Sequence, residues 1–381
     1  MRKLRPIAIL AIAIAAFAYA DAAAQQNSSM EIKLPLGITR DLWEYYVPKD
    51  NPVTPEKVEL GRELFFDKRL SADGTVSCAT CHDPKLAFTD GKRVAEGIGG
   101  RLGVRNTPTL LNAMFNSGQF WDGRAGSLEE QAKMPLTNPD EMGSQTHEQV
   151  VARVAVDQQY SKQFKQAFGK PVTIDLIAKA IATYERTLVA GNSPVDRYLA
   201  GDLDALSESA RNGMILFRGK ARCTVCHTFN QSFPFLSDMN YRNTGVAVKA
   251  KDFDRFARRA MDLSRVDSQV KLDSIANEEG AHSLGRFLVT GIALDIGAFK
   301  VPSLRNVELT APYFHDGSAA TLEDVVKFYL KGGMDNPNRD WQLEPIDLTE
   351  SEQHDLVEFL KALTSNEAKR MAESAASNPA R

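Results

Sequence analysis

The sequence is poor in the residues that staple or wire a protein together. It has four cysteines, six histidines and three tryptophans among 381 residues. The cysteines are all spent in two pentapeptides, Cys78-Ala-Thr-Cys81-His82 and Cys223-Thr-Val-Cys226-His227, so none is left for a structural disulfide. Charge of either sign is not in excess: 46 basic against 49 acidic residues give a net charge of −3, which excludes a broad basic face for nucleic acid. Strand-type alternation is sparse, so the expected fold class is mainly α. The apolar run at residues 7–20 is too short for a comfortable membrane span. What remains is an ordinary globular composition, 43% apolar and 25% charged, in a chain long enough for two domains.

Cys-x-x-Cys-His is the attachment motif of c-type haem. Both cysteines bond to the porphyrin vinyl groups, and the adjacent histidine becomes the proximal iron ligand. A disulfide, a redox Cys-x-x-Cys or half a zinc site would not need a histidine directly after the second cysteine, twice over. We therefore expect two covalent haems, held by Cys78, Cys81 and His82 and by Cys223, Cys226 and His227. The N-terminus agrees with this. Arg2, Lys3 and Arg5 precede the apolar run, and Ala22-Ala23-Ala24 offers a cleavage site after Ala24, with Ala20 as the alternative. Covalent haem is assembled outside the cytoplasm, so the mature protein is expected in the periplasm.

The two haem motifs share an approach. Gly61-Arg-Glu-Leu64-Phe65 leads to the first and Gly213-Met-Ile-Leu216-Phe217 to the second, which predicts two cytochrome c-like domains related by internal duplication. The expected division is a signal peptide at 1–24, an N-terminal haem domain at 25–190, a C-terminal haem domain at 191–365 and a disordered tail at 366–381. Residues 25–53 read as an extended arm. Thr54-Pro55 opens a helix, with threonine as cap and proline at the first position. Apolar spacing predicts helices at 128–133, 148–168 and 173–188. Gly191-Asn-Ser-Pro194 breaks the pattern, and 247–284 is a charged excursion that is either helical or loop. Thr321 and Asp324 cap a helix carrying Leu322, Val325, Val326 and Tyr329 on one face, ended by Gly332-Gly333. A last helix starts near Thr349.

From the residues alone, each iron has one assigned ligand. An open sixth position allows peroxide chemistry, and a filled one favours electron transfer. His147, His282, His315, His354, methionines and tyrosines are all candidates to fill it, and spacing does not choose among them. Trp121 could relay charge between cofactors, and Glu141 could move protons beside an open haem. A core tryptophan and a solvated glutamate would look the same in the sequence.

The landmarks GRELFFDKRLSADGTVSCATCHDP, RNTPTLLNA, FWDGRAGSLEEQAKMPLTNPDEM, ARCTVCH and FKVPSLRNVELTAPYFHDGSAATLEDVVKFY resemble, in order, the bacterial di-haem cytochrome c peroxidase family, which includes the MauG-type enzymes. The resemblance runs from about Pro55 to Leu363. It implies that His82 serves a high-spin, peroxide-reactive haem and His227 a low-spin one, with Trp121 between them. It places Gln131, Pro135 and Glu141 in the distal pocket of the first haem, with Glu141 as the acid–base group. It implies a calcium ion held by Asn106 and the backbone carbonyls of Thr310 and Pro312, an all-oxygen set suited to a hard cation.

Two departures refine the expectation. Peroxidases of the family place a methionine on the second iron, where this chain has Tyr329, as in the MauG-type branch; Met334 is the alternative. A phenolate favours high iron oxidation states, where a thioether favours Fe(II). The loop 96–105, where other members carry a histidine that blocks the first haem, has none. The resemblance thus implies a periplasmic enzyme that uses hydrogen peroxide to reach a shared bis-Fe(IV) state and oxidises a Trp or Tyr side chain of a partner protein. The alternative is peroxide reduction with electrons from a small cytochrome c or cupredoxin. The position two residues before the second motif is Ala221, a tryptophan in MauG itself, which leaves Trp43 and Trp341 as candidates for an exposed indole.

Overall fold

A computed structural model describes residue 30 and residues 32–265, 269–276 and 278–377. The signal peptide expected at 1–24 lies outside the described residues. In chain order the helices are α1 (Arg40–Tyr45), α2 (Pro55–Phe66), α3 (Leu128–Thr137), α4 (His147–Ala155), α5 (Gln158–Phe168), α6 (Ile174–Glu185), α7 (Pro194–Leu199), α8 (Glu208–Arg218), α9 (Phe253–Ser264), α10 (Gln269–Ala276), α11 (Leu322–Leu330), α12 (Glu350–Lys361) and α13 (Asn366–Ser377), besides single turns. Strands β1 (Tyr241–Arg242) and β2 (Phe299–Lys300) form one short antiparallel pair, with Tyr241 opposite Lys300 and Arg242 opposite Phe299. The molecule is mainly α, as its composition predicts.

Caps fix where the long helices begin. Thr54 Oγ1 accepts from Lys57 N (3.4 Å), and Pro55 fills the first position, where its missing N–H costs nothing. Thr321 and Asp324 satisfy each other's backbone N–H groups (3.1 Å each), as do Thr349 and Glu352 (3.3 and 2.8 Å). Helix α2 then crosses α6, and α8 crosses α12, and each crossing turns on a glycine. A Cβ at Gly61 would run into Ala180 O, and one at Gly213 into Asp355 O. The glycine shared by the two haem approaches is therefore the contact point that lets a second helix backbone lie flush against the first.

Four apolar clusters result. One gathers Leu60, Leu64, Phe65, Ile177, Ile181 and neighbours; another gathers Met214, Phe217, Leu356, Phe359 and Leu360. The other two differ from the expectations. Residues 25–53 are not only an extended arm: α1 forms within them, and Trp43 is buried (5% exposed) with Ile32, Ile38 and Val53. The charged excursion builds a core of its own, in which Phe253, Phe256 and Ala260 of α9 meet Ile275, Leu284, Phe287 and Ile296, and Trp121 packs on its edge. The segment 148–168 divides into α4 and α5, with Asp157 capping the second. The stretch expected as a disordered tail is helical as α13, and its Ala368 is buried in the first core. A bidentate pair, Arg305 to Asp196 (2.7 Å for both bonds), ties the loop after β2 to α7 in the interior. Among the described residues, no helix is long and apolar enough to cross a membrane.

Candidate functional site

Cys78–Cys81 forms a single helical turn after α2, with Ser77 and Thr80 closing its start. The chain then reverses through Phe88, a non-glycine residue with positive φ (60°), and the Phe88 carbonyl meets His82 Nδ1 at 3.0 Å. The second motif repeats the device. Cys223–Val225 forms a tight turn, Leu236 takes φ 49°, and its carbonyl meets His227 Nδ1 at 2.7 Å. A carbonyl only accepts, so Nδ1 carries the proton in both rings and the Nε2 lone pair is left for a metal. Burial also holds both imidazoles below the usual histidine range, which keeps them neutral.

Burial raises the four thiols instead, Cys78 and Cys223 to about 12 and Cys81 and Cys226 to about 11. Among the described residues no group of three His, Cys, Asp or Glu side chains could hold a metal ion.

Beside His227 lies an extended cavity lined by Cys223, Cys226 and the α11 residues Leu322, Val325, Val326, Tyr329 and Leu330. Tyr329 is partly buried there, and desolvation, with the two cysteine sulfurs, raises its phenol well above 10. A desolvated phenol gives up its proton only to a compensating positive charge, which a coordinating metal supplies. Met334 points its backbone elsewhere: its N–H donates to Thr244 O (3.1 Å), and it does not line the cavity.

The same cavity reaches Asn106, Trp121, Thr310 and Pro312. Trp121 Nε1 donates to Asn106 O (2.9 Å), and Asn106 Nδ2 donates to Lys92 O (2.9 Å), which leaves Asn106 Oδ1 as the side-chain acceptor. Phe120, with φ 65°, lines both this cavity and a second, smaller one. The second cavity is lined by Phe120, Arg124, Met134, Pro135, Thr137, Asn138, Glu141 and His147. Glu141 is mostly buried. Asn138 Nδ2 donates to its Oε1 (2.8 Å), and desolvation raises its carboxyl above the usual value despite the opposing pull of Arg124. The loop 96–105 rests on this turn: Ile98 N donates to Glu141 O (2.9 Å), and a Cβ on Gly97 would collide with the Asp140 and Glu141 backbone.

The predicted residues thus converge, with one exception. Glu141 and Pro135 share the smaller cavity; Tyr329, Trp121, Asn106, Thr310 and Pro312 share the larger; Gln131, on α3, is absent from both linings. Sequence reading missed Arg124, whose guanidinium stacks 3.5 Å over the Phe120 ring and pairs with Asp122 (2.9 Å). It also left His147 unassigned, although its Nε2 bonds Lys133 O (3.1 Å) at the cavity wall. Arg124 lies within the FWDGRAG landmark and could have been noticed there. His147 carries no local signal.

The chain resembles known proteins over most of its length. Residues 55–204 match the family model of di-haem cytochrome c peroxidase. The methylamine utilization protein MauG of Methylorubrum extorquens is 39% identical over 323 residues, which is 84% of this chain and 82% of that protein. Cytochrome c551 peroxidase of Nitrosomonas europaea is 40% identical over 319 residues, 83% of each chain. Among solved structures, a MauG-like protein associated with microbial copper homeostasis superposes with a TM-score of 0.70 at 34% identity, covering 85% of this chain and 93% of that one. With that breadth of identity, and two complete haem-attachment motifs whose histidines both present Nε2, this chain is an oxidoreductase of the di-haem cytochrome c peroxidase family, which implies two c-type haems.

Proposed function

We propose that the protein is a MauG-like peroxide-dependent enzyme of the periplasm that oxidises a Trp or Tyr side chain of a partner protein. The observation that carries this reading is Tyr329: a partly buried phenol, where a peroxidase of the other branch has a thioether, lining the cavity that His227 also lines. When bound, the two haems supply peroxide reduction and storage of two oxidising equivalents. His82 and His227 would be the proximal ligands, with Cys78, Cys81, Cys223 and Cys226 as covalent anchors and Tyr329 as the second ligand of the C-terminal site.

The chain's own groups fit the remaining tasks. Glu141, whose carboxyl desolvation holds above the usual carboxylate range, would take a proton from one peroxide oxygen and return it to the other, which is general acid–base work. Pro135 and Phe120 keep the wall of that cavity apolar, and Arg124 sets a positive charge near the leaving oxygen. No histidine occurs in the loop over the Glu141 turn, so the first site is free for peroxide without prior reduction. Trp121, hydrogen-bonded through Asn106, joins the two sites. Gln131 would act in the distal pocket only after a side-chain shift. Asn106 Oδ1 with the carbonyls of Thr310 and Pro312 would hold calcium at the shared wall.

The second reading is peroxide reduction with electrons from a small cytochrome c or cupredoxin, and the 40% identity to a cytochrome c551 peroxidase favours it. Steady-state turnover separates the two. The MauG-like reading requires slow oxidation of small cytochromes and cupredoxins, together with a peroxide-dependent mass change on a copurifying protein. Fast turnover with such a donor and no modified partner would establish the second reading instead.

A further inference from the structure

The three tryptophans occupy different environments. Trp43 is buried, Trp121 lines the larger cavity, and Trp341 is 82% exposed. An indole in solvent contributes nothing to a core, yet this one is held on a fixed platform. Its neighbours Asp340 and Gln342 both line the cavity beside His227. Arg242 grips them together, its Nη1 donating to Asp340 Oδ2 (2.8 Å) and to Gln342 Oε1 (2.9 Å) while Nη2 donates to Asp238 Oδ2 (2.7 Å). Asp340 N donates to Asn243 O (2.9 Å) and Gln342 N to Asp340 Oδ1 (2.9 Å), which closes a tight turn around the indole. Arg242 and Asp340 line the same cavity as Cys226, the second anchor of the C-terminal site, and Asp238 N donates to Cys226 O (2.8 Å). One peptide unit therefore separates a group beside that anchor from an aromatic ring in water.

We propose that Trp341 is the port through which electrons from the partner protein enter the C-terminal site. The proposal rests on the peroxide-dependent reading above and applies to either kind of partner. In each cycle the O–O bond of hydrogen peroxide breaks and two water molecules form, consuming two electrons and two protons. The protons come from solvent. The electrons come one at a time from the partner: Trp341 gives one up to the site and is refilled by the partner, which is oxidised by two electrons in all.

The test uses the holoprotein with both haems attached. Hydrogen peroxide is added without any partner, and oxygen incorporation is mapped by peptide mass spectrometry. Trp341 is expected to carry the adduct, because the port cannot be refilled, and Y329F is expected to reduce the adduct at least tenfold. In a second arm, W341F should oxidise a small ferrocytochrome c at least tenfold more slowly than the wild type while oxidising ferrocyanide and reacting with peroxide at unchanged rates; W341Y should recover part of the loss. An unmodified Trp341, with adducts instead on the equally exposed Tyr45, or a W341F variant that oxidises ferrocytochrome c at the wild-type rate, would overturn the proposal while leaving the site reading intact. Absence of any peroxide-induced change in the haem spectrum would defeat the site reading and the proposal with it.

Discussion

The two halves of the molecule solve the proximal side of their sites in the same way and the distal side in opposite ways. Each half sets a glycine at a helix crossing, follows it with Cys-x-x-Cys-His, and fixes the histidine with the carbonyl of a left-handed residue, Phe88 in one and Leu236 in the other. In the first half, a small cavity gathers the Glu141 carboxyl and the Arg124 guanidinium; beside His227 lies a more extensive one with an apolar helix face and a phenol. The proximal machinery is what covalent haem demands anywhere. On the function proposed above, that difference would divide the labour, one site moving protons and the other holding charge.

The most drastic way to break this symmetry is to remove one set of anchors. The double variant C78A/C81A should lose about half of the covalent haem, read by pyridine haemochrome and intact mass, with the C-terminal spectrum retained. E141Q should keep both haems and slow the reaction with peroxide by about 10²–10⁴-fold, the range of general acid–base contributions. Because burial raises Glu141, and the ionised form must accept the first proton, the wild-type rate should fall as pH drops through a value above the ordinary carboxylate pKa, and E141Q should lack that limb. Rates from stopped-flow absorption across pH check both statements.

Much of this comparison is visible in the sequence, because its parts are local. The haem motifs, the caps at Thr54, Thr321 and Thr349, and the glycines of the two approaches are short patterns with one physical meaning each. The proximal carbonyls are not legible, since nothing in Phe88 or Leu236 announces a positive φ that tertiary contacts impose. The core of the charged excursion was hidden for another reason: α9 presents only Phe253, Phe256 and Ala260 on one face of an otherwise charged helix, and its apolar partners are spread over 272–299. In α13 the burial of Ala368 depends on a surface supplied by the first half, which no local spacing reveals. The cavity placed Glu141 with Pro135, as the family pattern implies, and added Arg124 and Phe120, whose roles arise only when two loops meet.

Smaller perturbations sharpen the same contrast. Gly61→Ala and Gly213→Ala push a methyl group into a helix backbone in equivalent places, and each should cost about 1–3 kcal/mol of stability in chemical denaturation, in line with overpacking elsewhere. The halves differ again in Glu185, which is fully buried at the end of α6, close enough to Cys78 to influence it, and raised to about 8 by desolvation. In the folded protein it binds a proton that the unfolded chain releases near the ordinary value of 4.5. The stability linked to that proton is complete below 4.5 and is lost as pH rises toward 8. Thermal unfolding midpoints should therefore decline over that window in the wild type and decline less in E185Q.

The asymmetry of the two irons is the central claim, and low-temperature electron paramagnetic resonance of the ferric protein as isolated, alongside Y329F, reads it directly. The account predicts one high-spin and one low-spin haem in the wild type, with the low-spin signal lost or shifted in Y329F. Two low-spin haems in the wild type, or a low-spin signal that Y329F leaves unchanged, would contradict it.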